Sequence, residues 1–122
     1  MPNRSRPVLV VDDNDATRET VALVVGDEGH PTAVARDSTE ALASLDWVRP
    51  WVVVADLQMP GLDGDQLVGA LRERMPGLPA VIMTGRPDAR DLIEAVPAQY
   101  LAKPFSLDQL FAAIDAATRS TR

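Results

Sequence analysis

Residues 51–56, Trp-Val-Val-Val-Ala-Asp, decide the fold, because five successive apolar residues lead directly into a carboxylate. An unbroken apolar run rich in valine is typical of a strand that is buried on both faces of a parallel sheet. Four other short apolar runs occur along the chain: Val8-Leu9-Val10-Val11, Thr32-Ala33-Val34, Ala80-Val81-Ile82-Met83 and Tyr100-Leu101-Ala102. The sequence therefore predicts five strands, of which residues 51–56 hold the third.

Segments in which apolar residues recur at helical spacing follow the five runs. The last segment has the clearest start, because Ser106 and Gln109 are spaced as a capping box and Phe105 and Leu110 as a hydrophobic staple. Parallel strands that are joined by right-handed helical crossovers form a doubly wound sheet with helices on both faces. We therefore predict a three-layer α/β fold with five parallel strands and five helices.

The composition fits one folded domain and excludes several kinds of site. The chain has 122 residues, of which 46% are apolar and 25% charged, and its net charge is −6. It has no cysteine, which excludes disulfides, thiolate metal sites and thiol nucleophiles. The single histidine, His30, cannot supply a multi-histidine metal site, and we interpret it as the surface of a Gly-His-Pro turn.

The acidic balance argues against direct binding to nucleic acid or an anionic membrane, because both demand a cationic surface. No apolar run approaches the ~20 residues of a membrane span, and no apolar leader region follows the first arginines. We expect a cytoplasmic protein that consists of a short lead at residues 1–6, one domain at 7–118 and a polar tail at 119–122.

Chemically capable side chains follow four of the apolar runs. Asp12 and Asp13 follow the first run, Asp56 the third, Thr84 the fourth and Lys103 the fifth. In a doubly wound sheet, sites lie beyond the carboxyl ends of the strands. We therefore expect these five side chains to lie close together.

Three converging carboxylates need a compensating cation. Two unit charges ~4 Å apart near a protein surface repel by about 4 kcal/mol, so such groups require raised pKa values or a positive charge. Lys103 offers one charge, and a hard divalent ion offers two. Carboxylates without histidine or thiolate favour magnesium, manganese or calcium. Aspartates, a cation, a hydroxyl and a lysine together indicate phosphoryl chemistry with one aspartate as the nucleophile.

Four motifs together resemble the receiver domain of two-component response regulators: Val10-Val11-Asp12-Asp13, the segment 56–64 (Asp-Leu-Gln-Met-Pro-Gly-Leu-Asp-Gly), Met83-Thr84-Gly85 and the segment 100–105 (Tyr-Leu-Ala-Lys-Pro-Phe). The resemblance covers about residues 7–118. It implies a flavodoxin-like sheet with the strand order 2-1-3-4-5.

The resemblance also implies the residues of the phosphorylation site. Asp56 would accept a phosphoryl group from a histidine kinase or a histidine phosphotransfer protein. Asp13, Asp56 and the backbone carbonyl of Gln58 would bind Mg²⁺ directly, or Mn²⁺ in its place, and Asp12 would act mostly through water.

The remaining roles concern the response to phosphorylation. The resemblance implies that Lys103 pairs with one phosphoryl oxygen and that Thr84 turns its hydroxyl to another, while Tyr100 is an aromatic switch. It also implies a cis peptide bond between Lys103 and Pro104. The output would be a protein-binding surface on the fourth helix, the fifth strand and the fifth helix, with an effector that the sequence does not name.

One segment departs from the family pattern. The distance from Thr84 to Lys103 is shorter than is usual in receiver domains, and Val96-Pro97-Ala98 replaces the usual Gly-Ala pair before the fifth strand. We therefore expect a short, displaced or irregular fourth helix, with residues 86–98 as the most atypical or most mobile segment.

The same residues leave two other functions to consider. A haloacid dehalogenase-like phosphatase also uses an aspartate nucleophile, magnesium and lysine, but it needs a second aspartate where this chain has Gln58. A flavodoxin-like cofactor binder needs a phosphate loop where Asp12 and Asp13 would repel phosphate. The chain could also be a receiver segment of a larger response regulator or hybrid histidine kinase. In either form we expect a signalling protein, not an enzyme, because its chemistry is directed at itself.

Overall fold

The computed structural model of the protein describes residues 6–85 and 97–119. The strands are β1 Val8–Val11, β2 Thr32–Ala35, β3 Val52–Asp56, β4 Ala80–Thr84 and β5 Gln99–Ala102. The helices of the described ranges are α1 Asp15–Asp27, α2 Ser38–Ser44, α3 Gly64–Arg74 and α4 Leu107–Arg119. The predicted fourth helix falls on residues 86–96, outside the described residues, so the expected fifth helix is α4 here.

The five strands form one parallel sheet in the order β2-β1-β3-β4-β5. This arrangement confirms the predicted fold class and strand order. Val11 is aligned with Ala55 across the β1–β3 pair, so Asp12 and Asp56 are the next residues at the same edge. Thr84 is aligned with Ala102, and the amide of Lys103 donates a 2.7 Å hydrogen bond to the carbonyl of Thr84. The register thus places the carboxyl ends of these strands at one edge of the sheet.

Successive strand residues point to opposite faces of the sheet, and each face has its own core. One core lies under α2 and α3 and includes Leu9, Val53 and Ile82. The other lies under α1 and α4 and includes Val10 and Val54. Burial on both faces explains why the strand runs are continuously apolar, since each such side chain stabilises the fold by about 1.5–3 kcal/mol.

Side-chain caps fix the start of the helices. The predicted capping box is present at α4: the Gln109 amide donates to Ser106 Oγ at 3.1 Å, and the Ser106 amide donates to Gln109 Oε1 at 2.8 Å. Asp37 caps α2 by accepting a 2.8 Å hydrogen bond from the amide of Glu40. These caps satisfy amides that a helix leaves unpaired at its start.

The amino-terminal end of the sheet carries a ring contact that the sequence did not indicate. His30 lies in the turn before β2, as predicted, but it is half-buried because its ring stacks on Trp51 with centroids 5.1 Å apart. Arg6 bonds the carbonyls of Arg49 and Pro50 at the same end. Among the described helices, none is long and apolar enough to cross a membrane.

Candidate functional site

Three carboxylates and one ammonium meet at the carboxyl edge of the sheet. Each of Asp12, Asp13 and Asp56 has a carboxylate oxygen within 4.8 Å of those of the other two. Lys103 Nζ donates a 3.0 Å hydrogen bond to Asp56 Oδ1 and lies 3.5 Å from Asp12 Oδ2. The structure therefore brings together four of the five side chains that were expected to converge.

The three aspartates differ in their surroundings. Asp12 is fully buried, and its Oδ1 accepts a 2.9 Å hydrogen bond from the amide of Asn14. Its buried Oδ2 accepts no hydrogen bond from the residues that the structure describes. Asp56 is buried at the end of β3, whereas Asp13 is exposed. The Lys103 ammonium lies 3.5 Å from this oxygen, and because a buried acceptor that lacks a well-formed hydrogen bond is costly, a further positive group at this position would be favourable.

The other predicted site residues lie on β4, on β5 and in the loop after β3. Thr84 is buried at the end of β4, the strand that pairs with β3. Tyr100 is half-buried on β5 and packs against the core under α2 and α3. Burial lowers the pKa of Arg72, and a charge interaction with Tyr100 partly offsets this lowering. Gln58 lies in the loop after β3 with an exposed side chain. The peptide bond between Lys103 and Pro104 is cis.

Burial and charge shift the pKa values of the central pair. Burial raises the pKa of Asp56, the hydrogen bond from Lys103 opposes this, and the charges of Asp12 and Asp13 raise it further. Burial lowers the pKa of Lys103, but its hydrogen bond to Asp56 and its charge interactions with Asp56 and Asp12 outweigh burial, so the net pKa is raised. The ammonium is thus held in its charged form and cannot by itself balance three carboxylates.

The residues present fit a hard divalent cation. The cluster offers only oxygen donors, and the buried Oδ2 of Asp12 is free of hydrogen bonds from described residues. Magnesium and calcium prefer oxygen ligands, and magnesium typically takes few carboxylates. The cluster is therefore one that could hold a metal ion.

The loop between β3 and α3 is fastened at its base and near its tip. The Gly64 amide donates to the Leu57 carbonyl at 2.8 Å, and the Leu62 amide donates to the buried Ser38 Oγ at 3.2 Å. A Cβ atom on Gly64 would lie 2.6 Å from the Asp56 carbonyl oxygen, so only glycine allows α3 to approach β3 this closely. The loop that carries Gln58 is therefore held against the site.

Sequence reasoning missed two residues that support the site. One is Ser38, which contacts a loop 24 residues away, and the sequence gives no indication of that contact. The other is Arg18, which bonds the Asp12 carbonyl and the Asp15 carboxylate. Asp15 stands three residues before Arg18 and two residues after Asp13, and this spacing was the available indication of an ion pair at the start of α1.

A doubly wound parallel sheet with an acidic pocket and a lysine at its carboxyl edge is the arrangement that the resemblance to receiver domains predicts. A sequence-family model described as the response regulator receiver domain matches residues 8–115. The chain belongs to this family, which confirms the resemblance found in its motifs.

Two relatives illustrate the similarity in sequence. The chain is 35% identical over 118 residues to the response regulator MprA of Mycobacterium ulcerans, which covers 94% of this chain and 51% of the relative. It is 34% identical over 122 residues to the DNA-binding response regulator MtrA of Mycobacterium tuberculosis, which covers 98% of this chain and 53% of the relative. The chain thus spans about half the length of the curated relatives it matches.

Solved structures are similar over nearly their whole length. The chemotaxis protein CheY4 of Vibrio cholerae matches with a TM-score of 0.84 and 30% identity, covering 92% of this chain and 98% of the other. The response regulator TrrA of Thermotoga maritima, solved in complex with Mg²⁺-BeF, matches with a TM-score of 0.82 and 26% identity, covering 92% and 98%. These matches favour a receiver domain over the phosphatase and flavodoxin-like alternatives.

Proposed function

We propose that Asp56 accepts a phosphoryl group from the phosphohistidine of a histidine kinase or a histidine phosphotransfer protein. The observation that carries this proposal is the 3.0 Å hydrogen bond from Lys103 to Asp56 inside a cluster of three carboxylates. Membership in the receiver family supports it. The chemistry is directed at the chain's own side chain, which makes the protein a signalling domain and not an enzyme with an outside substrate.

Asp56 and Lys103 have different roles in the phosphoryl transfer. A carboxylate oxygen of Asp56 attacks phosphorus, the O–P bond forms, and the P–N bond to the donor imidazole breaks. The ammonium of Lys103 pairs with a phosphoryl oxygen and stabilises the charge of the transferring group.

A bound metal ion would offset the negative charge of the three carboxylates that Lys103 leaves unbalanced. Asp13, Asp56 and the carbonyl of Gln58 would hold Mg²⁺ directly, and Asp12 would act mostly through water, with Mn²⁺ as a substitute. When bound, the ion neutralises negative charge on the transferring phosphoryl group. Support comes from the oxygen-only donor set and the buried Oδ2 of Asp12.

Phosphorylation would then change the surface of the domain. A phosphoryl group adds about two negative charges and several acceptor oxygens, and Thr84 would donate its hydroxyl to one of them. Movement of Thr84 makes room for Tyr100 to move inward from its half-buried position on β5. The affected surface would include β5, α4 and residues 86–96, of which the last lie outside the described residues.

The single tyrosine makes this switch measurable. With 3-fluorotyrosine incorporated, the fluorine NMR resonance of Tyr100 should shift when beryllofluoride and Mg²⁺ are added. The same shift should be absent in Asp56→Asn and reduced in Thr84→Ala. An unchanged resonance in wild-type protein that has bound beryllofluoride would show that Tyr100 is not a switch.

A small phosphodonor tests the phosphoacceptor directly. Incubation with acetyl phosphate and Mg²⁺ should add one phosphoryl group by intact mass, and Asp56→Asn should abolish it. The exposed Asp63 supplies a matched control, because Asp63→Asn removes a carboxylate in the same segment outside the cluster. Steady release of product from many phosphoesters would instead favour the phosphatase alternative.

The chain is proposed to act either alone or as the receiver segment of a larger response regulator or hybrid histidine kinase. The match to about half of MprA and MtrA fits a place beside a further domain, and the match to 98% of CheY4 fits a single domain. MtrA is named as DNA-binding, but we propose that the present domain contacts proteins and not DNA, because its net charge is −6. A gel-shift assay with the phosphorylated domain should show no complex at physiological salt.

A further inference from the structure

We infer that Arg18 is a positioning residue for the divalent cation, acting through the backbone that carries Asp13; this inference rests on the proposed function. The Arg18 side chain is only 11% exposed. Its Nη1 donates a 3.0 Å hydrogen bond to the carbonyl oxygen of Asp12, and its Nη2 donates a 2.6 Å hydrogen bond to Asp15 Oδ1. One guanidinium therefore joins both ends of the turn between β1 and α1.

The carbonyl that Arg18 bonds belongs to the peptide plane between Asp12 and Asp13. Fixing this oxygen fixes the rotation of the plane, and hence the direction in which the Asp13 side chain leaves the backbone. The neighbouring residue is already fixed, because the Asp12 amide donates to the Ala35 carbonyl at 3.2 Å and Asp12 Oδ1 accepts from the Asn14 amide. Asp13 is exposed, so its placement depends on the backbone that Arg18 holds.

The burial of Arg18 distinguishes it from the other short-range arginine pairs. Arg119 pairs with Asp115 on the surface of α4, where both side chains are more than half exposed. Exposed pairs of this kind contribute little to stability, whereas burying a guanidinium carries a desolvation cost that its bonds must offset. Arg18 is therefore a buried cation, and both of its hydrogen bonds hold the turn between β1 and α1 that carries Asp13.

Charge and positioning predict effects of opposite sign. If Arg18 acted only as a nearby positive charge, its removal would make the pocket more negative and would tighten Mg²⁺ binding. If Arg18 positions Asp13, its removal weakens binding. Groups that orient metal ligands typically alter affinity by about 10–100-fold, and we expect the lower end because Asp13 is one ligand among several.

The test is an NMR titration of the full chain with Mg²⁺, followed at backbone amides and paired with thermal melting in EDTA. Arg18→Met keeps the apolar stem and should weaken the apparent Kd about tenfold at an unchanged folded fraction. Arg18→Lys keeps the charge but loses the planar pair of donors, and it should shift the Kd in the same direction by less. Arg119→Met is the matched control and should leave the Kd unchanged.

Each outcome has a distinct meaning. A folded Arg18→Met variant that binds Mg²⁺ as tightly as the wild type, or more tightly, overturns the positioning role. If Arg18→Met does not fold, Arg18→Lys decides, because it keeps the positive charge while a single ammonium cannot reproduce both bonds of the planar guanidinium; an unchanged Kd overturns the inference. Wild-type protein that takes up no Mg²⁺ overturns the proposed metal site itself, and the inference with it.

Discussion

The carboxylate cluster should destabilise the protein when no metal is bound, and Asp13→Asn should relieve this cost. Asp13 has a carboxylate oxygen within 4.8 Å of oxygens of both Asp12 and Asp56. Because Asp13 is exposed, a water-like dielectric applies, and each pair repels by about 0.9 kcal/mol at that distance. Screening by salt and the mobility of an exposed side chain reduce the sum of the two pairs by about half. We therefore expect Asp13→Asn to be about 1 kcal/mol more stable.

For a domain of this size, 1 kcal/mol corresponds to a rise in Tm of about 4 °C. The assay is urea and thermal unfolding in EDTA at low ionic strength, with Glu73→Gln as the matched control. Glu73 is an exposed carboxylate on α3 outside the cluster, so its removal changes the net charge equally without touching the site. Raising the salt to about 1 M should shrink the difference, because the Debye length falls to ~3 Å.

Magnesium should reverse the order of stability. At a free Mg²⁺ concentration of about 100 times its Kd, the wild type gains about 2.7 kcal/mol, while Asp13→Asn loses a ligand and gains less. The wild type should then be the more stable protein. The reasoning fails if Asp13→Asn is no more stable than the wild type in EDTA, or if Glu73→Gln is stabilised equally.

Three further predictions follow from the same edge of the sheet. Gly64→Ala should lower the free energy of unfolding by about 1–3 kcal/mol and slow phosphorylation of Asp56. The control Gly69→Ala lies in the same helix with open space around it, and it should raise the free energy of unfolding by about 0.5–1 kcal/mol in urea. The pKa of Lys103 is raised above its ordinary value of 10.5. The stability that its pairing contributes is therefore fully present below pH 10.5 and is lost as the pH rises through the pKa of the folded state. Urea unfolding curves of the wild type and Lys103→Met should stay apart at about pH 7–9 and converge at high pH. Ser38→Ala leaves a loop amide without its acceptor and should cost about 1–3 kcal/mol; unchanged unfolding would refute that contact.

The sheet could be predicted from the sequence because its cause is local. The run at residues 51–56 is apolar on both strand faces, and the carboxylate at its end lies where parallel strands converge. The grouping of Asp12, Asp56 and Lys103 followed from their positions at the carboxyl ends of predicted parallel strands, and the structure places them together. The roles of these residues in phosphoryl transfer stay predictions.

Contacts between distant side chains could not be predicted in the same way. The bond from the Leu62 amide to Ser38 depends on how α2 packs beside the β3–α3 loop, and no spacing in the sequence encodes that approach. The stacking of His30 on Trp51 likewise requires two turns to meet at the far end of the sheet. The expectation of an irregular fourth helix concerns residues outside the described ranges and stays a prediction.

The cation in the pocket has a practical consequence, because Lys103 is the chain's one lysine and its eleven other basic side chains are arginines. Reagents that attack primary amines discriminate against guanidinium groups, so apart from the chain terminus they have a single target. An isotope placed in lysine side chains would likewise yield one resonance. Labelling of lysine side chains therefore reports on the pocket alone, without an engineered cysteine.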